Sequence, residues 1–90
     1  MPPPPPEACA DVRKRVRQLV AFFAAREEST LADCHSLRND YGLGEIHLRA
    51  LAKPLTHISA DHGGGPVTQV EAQKCDTLGD CVVLVTGKLA

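Results

Sequence analysis

Three basic side chains recur at four-residue intervals: Arg49, Lys53 and His57. On an α-helix that spacing places them on one stripe. Arg49 has the planar donor fork that reads a guanine edge in two hydrogen bonds, and Lys53 is a point charge suited to a phosphate. Lys88, close to the carboxyl end, adds a candidate backbone contact. The same positions also suit the solvated face of an amphipathic helix, or a face that docks another protein. The acidic residues Glu45, Asp61 and Glu71 flank them in sequence. Three to five phosphate contacts give a salt slope of about −3 to −4.5, against roughly −10 for a strong operator binder. The chemistry expected of the stripe is therefore contact with a protein partner in a larger complex, with duplex DNA as the second candidate.

Acid–base chemistry would have to come from His57, Ser59, Asp61 and His62. A hydrolytic triad needs partners converging from separate elements beside an oxyanion hole. These four fall within one short stretch and read instead as the polar rim of a loop. Gly63-Gly64-Gly65 is not followed by Lys and Ser or Thr, so it is no phosphate loop. A domain of this size has little volume for a deep substrate pocket. A non-enzyme is expected, with no cofactor and no small-molecule substrate.

The cysteines, Cys9, Cys34, Cys75 and Cys81, form no C-x-x-C pair. Reduced thiols are the expectation, and a disulfide between Cys75 and Cys81 across a turn is the alternative. Their spacing relative to His35, His57 and His62 is irregular for zinc, so no metal site is expected.

The chain has 90 residues, 43% of them hydrophobic and 23% charged, which suits one small globular domain. Aromatic residues make up only 3%, so the core must come from Leu, Val, Ile and Ala. Ten basic and eleven acidic residues give a formal net charge of −1, which argues against coating nucleic acid by bulk charge. No apolar run reaches the roughly 20 residues of a membrane span. Without the pattern of a secretory signal, a nuclear or cytoplasmic setting is expected.

The elements that must position these residues follow from periodicity. Residues 1–10 read as a proline-rich disordered leader, a stiff spacer or a ligand for a proline-recognition domain. Val12, Val16, Leu19, Val20 and Phe23 make one helical stripe, with Asp11 as its expected cap. Arg13, Lys14, Arg15, Arg17 and Arg26 occupy the other faces, as a solvated surface or a phosphate-contacting one. Thr30 and Asp33 resemble a capping box opening a second helix through Leu31, Cys34 and Leu37. It should end near Gly42, which is free to adopt a positive φ. Leu48, Leu51, Leu55 and Ile58 line a third helix, which must either kink near Pro54 or stop at Lys53. Beyond the glycine loop, residues 67–73 and the run Cys81-Val82-Val83-Leu84-Val85-Thr86 read as two antiparallel strands.

Three helices followed by a hairpin resemble the winged-helix superfamily over residues 11–90. The joint Tyr41-Gly42-Leu43-Gly44 then stands in a helix-turn-helix, and the arrangement Leu48-x-x-Leu51 is similar to small modules of peripheral RNA polymerase III subunits. That resemblance implies an α+β fold, a recognition helix carrying Arg49, Lys53 and His57, and a role as an adaptor or DNA-binding module in a nuclear, transcription-related complex. A second, partial resemblance joins Val70-Glu71-Ala72-Gln73 and Val82 to Leu89 to strands of the nuclear transport factor 2-like family, with Gly44-Glu45-Ile46-His47 similar to the helix before them. It implies a truncated curved sheet acting in dimerisation or peptide binding.

Overall fold

The computed structural model describes residues 6–89, and these form helices without a named strand. The helices are α1 (Pro6–Ala24), α2 (Glu45–Ala50), α3 (Ala52–Asp61), α4 (Gln69–Gln73) and α5 (Leu78–Leu89), with a single 3-10 turn at Glu28–Thr30. The expected α+β winged helix is therefore incorrect. Both segments assigned to the wing are helical, and the curved sheet of the alternative family is equally missing among the described residues. The one β-type pairing there is an isolated antiparallel bridge between Ser36 and Thr77.

Two capping boxes explain the correction. Thr68 Oγ1 accepts from the Glu71 amide at 3.1 Å, while the Glu71 carboxylate accepts from the Thr68 amide at 3.1 Å. Thr77 and Asp80 exchange the same bonds at 3.1 and 3.2 Å. Each box satisfies amides that a helix start leaves without partners. Beyond the second box, Leu78, Cys81, Val82 and Val85 are buried at i, i+3, i+4 and i+7. Burial of that stripe overrides the modest β preference of the valines.

The first helix starts earlier than expected, with Pro6 in its first turn, where a missing N–H costs nothing. Residues 6–10 of the expected leader are thus helical, Asp11 is not a cap, and residues 1–5 lie outside the described residues. Val12, Val16 and Val20 are fully buried, as the stripe requires. The helix ends at Ala25, whose φ of 54° lets the Arg26 amide return to the Ala21 carbonyl at 3.0 Å.

The expected second helix does not form. Leu31 and Leu37 are buried but Cys34 is exposed, and the segment is irregular. Thr30 Oγ1 bonds back to Glu27, and Asp33 turns to Arg13 and Arg17 instead of capping. Gly42 does adopt a positive φ, 67°, within this connection. The Tyr41 hydroxyl, 2.9 Å from His35 Nδ1 and 3.2 Å from the Ala32 amide, holds the connection together.

Leu48, Leu51, Leu55 and Ile58 are all buried on α2 and α3. The break between these helices falls at Leu51. Pro54 offers no N–H to the Ala50 carbonyl four residues back and crowds it, so the helix bends there and then continues to Asp61. The core gathers α1, α3 and α5, with α4 closing the side beside α2.

The glycine loop passes tightly beneath the end of α5. Ser59, fully buried, donates to the Gly65 carbonyl at 2.7 Å, and the Gly65 amide donates to the Lys88 carbonyl at 3.2 Å. A Cβ on Gly64 would lie 2.8 Å from both the Lys88 carbonyl and Leu89 Cδ2, and would also collide with the Ser59 hydroxyl. Gly64→Ala should cost about 1–3 kcal/mol, as overpacking does. Ala25→Gly should instead stabilise by about 0.5–1 kcal/mol, because it relieves a left-handed residue at some entropic cost. Urea unfolding of the two variants should move the midpoint in opposite directions.

Candidate docking groove and the fate of the basic residues

Two of the four expected contact residues, Arg49 and Lys88, are bonded within the molecule. Arg49 Nε donates to Gln73 Oε1 at 3.0 Å, and Gln73 Nε2 donates onward to Glu45 Oε1 at 3.0 Å. This chain of bonds ties α2 to α4. Lys88 Nζ lies 2.6 Å from Glu71 Oε2 and joins α5 to α4. Lys53 and His57 are exposed on α3 and have no ion pair or hydrogen bond with a described residue.

The arginines of the expected basic cluster are similarly engaged, whereas Lys14 is exposed without a partner among the described residues. Arg13 pairs with Asp33. Arg17 donates to the carbonyls of Glu28 and Leu31 at 3.1 and 2.9 Å. Arg15 Nη2 sits 2.7 Å from Asp61 Oδ2. The Arg26 guanidinium lies 5.8 Å from the centre of the Tyr41 ring. These contacts use cationic heads that a phosphate-binding face would present to its ligand.

The residues considered for acid–base work are also dispersed. Ser59 is bonded to Gly65, and His62 Nε2 is 2.7 Å from Asp11 Oδ2 on α1. Among the described residues, no group of three or more His, Cys, Asp or Glu side chains could hold a metal ion. No helix among them is long and apolar enough to cross a membrane.

The feature that does gather exposed residues is an open groove between α1 and α3, with a volume of about 290 Å³. Leu19, Pro54 and Ile58 supply its apolar lining; Arg15, Gln18 and His57 supply the polar part. Phe22 follows Gln18 and Leu19 by one helical turn, on the same side of α1. It is 82% exposed. Phe23 is partly buried and meets it edge to face, with ring centres 6.2 Å apart. An aromatic ring left in water beside an apolar cleft marks a surface suited to contact. Sequence periodicity singled out His57 but missed Phe22. The available signal was its place one position off the buried stripe of α1.

No protein-family model matches this chain, and neither a curated protein nor a solved structure was found similar to it. The residue contacts therefore carry the functional argument.

The Lys88 ion pair makes a pH prediction. The Glu71 carboxyl is held below its ordinary value, first by the bond from Lys88 and then by the Thr68 amide. As pH falls, the folded chain thus protonates Glu71 later than the unfolded chain does. Its stabilising contribution is complete above the ordinary glutamate range and is lost as pH falls through the depressed folded value. The stability difference between the wild type and Lys88→Met should be constant near neutrality and should shrink in acid. Urea midpoints measured across the acid range check this; a flat difference contradicts it.

Proposed function

We propose that this chain is a non-enzymatic adaptor whose α1–α3 groove receives an amphipathic helix with an acidic flank, carried by a partner in a larger complex. The exposure of Phe22, one helical turn beyond the groove residues Gln18 and Leu19, carries the reading. From Arg15, which lines the groove, to Phe22 beyond it, α1 runs about 10 Å, or two helical turns, a length suited to a short helical guest. Lys53 and His57 supply uncompensated donors on the α3 side, which sets the preference for an acidic flank. Covering Phe22 would contribute about 1.5–3 kcal/mol. We assign the partner to the nucleus or cytoplasm, where cysteines without a C-x-x-C pair are ordinarily reduced thiols.

Protein docking is favoured over duplex DNA because Arg49 and Lys88, two of the four expected phosphate contacts, are bonded within the molecule. The test is amide chemical-shift mapping of the full chain. One titration uses an acidic amphipathic helical peptide with leucines along one face, and another uses duplex DNA at low salt. Saturable shifts at Leu19, Phe22, His57 and Ile58 with the peptide are expected. Phe22→Ser should weaken that binding about 10- to 100-fold, following from the burial energy, and should leave the unfolding midpoint unchanged. Peptide shifts elsewhere or none at all would overturn the reading. Saturable DNA binding without peptide binding would replace it with nucleic-acid contact.

A further inference from the structure

Among the described residues, Arg15 is the one arginine or lysine that lines the α1–α3 groove. Its Nη2 sits 2.7 Å from Asp61 Oδ2 at the end of α3, and its Nη1 lies 3.8 Å from Asp11 Oδ2. Asp11 Oδ2 is itself 2.7 Å from His62 Nε2, so Asp61 is the close partner of Arg15. These are ion-pair contacts without an aligned hydrogen bond, whereas Arg17 and Arg49 do donate, at 2.9 and 3.0 Å. The two-pronged bonding that makes an arginine–carboxylate pair strong and specific is thus unused at Arg15. Asp61 is also the more exposed partner, with 59% of its side chain accessible against 33% for Arg15.

The ion pair has a fixed place relative to the apolar part of the groove. Leu19 follows Arg15 by four residues on α1, and Ile58 precedes Asp61 by three on α3. Leu19 and Ile58 both line the groove. Each wall therefore sets its charged residue one helical turn from its apolar one. A guest helix has the same pitch. When it seats a leucine against Leu19 and Ile58, its residue one turn away comes over Arg15.

Resting on the helix-in-groove reading, we infer that Arg15 recognises one carboxylate of the guest, and that Asp61 occupies the guanidinium in the free chain and yields it on binding. A solvent-exposed ion pair contributes little, so Asp61 is displaced at small cost. A guest carboxylate in its place meets the open donor fork of Arg15 under the cover of the guest, where water is excluded and the pair is stronger. A guest with a neutral side chain at that position leaves Arg15 on Asp61 and gains nothing from it. Asp61 thus keeps the groove's cation paired while the groove is empty and makes the exchange selective for an acid.

The full chain is titrated with two helical peptides that carry leucines along one face and differ at one position, glutamate or glutamine, one turn from the central leucine. The glutamate peptide should bind the wild type about three- to tenfold more tightly. Arg15→Gln should abolish that preference and leave the affinity for the glutamine peptide unchanged. Asp61→Asn should tighten the glutamate peptide about two- to fivefold, again without moving the glutamine peptide. That gain should vanish in the Arg15→Gln background. Far-ultraviolet circular dichroism checks that each variant stays helical; should Arg15→Gln misfold, the response of the two peptides to Asp61→Asn decides. Equal binding of both peptides to the wild type would overturn the inference and leave the groove reading standing. So would a gain from Asp61→Asn that persists without Arg15, because simple repulsion between carboxylates would then explain it. Binding of neither peptide would remove the groove reading and this inference with it.

Discussion

The amino end of α5 is where the chain closes on itself. Its first amides need acceptors, as at any helix start. The Leu78 and Gly79 amides find them in the carbonyls of His35 and Asp33, at 3.3 and 2.9 Å, and the Asp80 amide finds the Thr77 hydroxyl. Those two carbonyls belong to the irregular connection between α1 and α2. The connection has turn bonds and the Tyr41 clamp of its own, and this seam fixes it against α5. With it in place, Leu31, Leu37, Tyr41 and Leu43 enter the core. Gly79 permits the approach, because a Cβ there would stand 3.2 Å from the Asp33 carbonyl.

Charge in this molecule acts mainly between its own elements. Asp11 meets His62, Arg15 meets Asp61, Asp33 meets Arg13 and Arg17, and Glu71 meets Lys88. Each is partly exposed, and such pairs are individually worth about 0–1 kcal/mol. Their effect on function is larger than on stability. They engage several basic groups within the molecule and leave His57 lining the α1–α3 groove, with Lys53 one turn before it on α3 and Phe22 one turn beyond the groove on α1. A chain of net charge −1 with most of its arginines so engaged presents an apolar cleft with a modest basic edge, which is what favours the proposed protein partner over a polyanion.

The legible parts of the sequence were those with unambiguous periods. The α1 stripe and the leucines of α2 and α3 appear where spacing places them, and Pro54 marks the bend. The last third was misread because Val82-Val83-Leu84-Val85 is apolar at every step, and such a run has no period to separate strand from helix. The decisive local signals were Thr68 with Glu71 and Thr77 with Asp80, each a helix start. Thr30 and Asp33 carry the same spacing without forming one, because Arg13 and Arg17 draw the Asp33 carboxylate away. Of the expected site residues, Lys53 and His57 have no partner among the described residues, whereas the bonds of Arg49 and Lys88 were not legible because their partners, Gln73 and Glu71, lie on α4, an element read as a strand.

The amino-acid order alone determined which faces of α1, α2 and α3 had to be buried, since side-chain spacing on a helix is a local property. It also set the composition of the core and the near balance of charge. Tertiary structure decided whether the valine-rich end would be ribbon or helix, because its neighbours reward burial of a single stripe. It decided which cations stay free, because an ion pair between distant segments is invisible until they meet. And it set Cys75 and Cys81 into the core on either side of a turn whose shape depends on backbone bonds to residues far earlier in the chain.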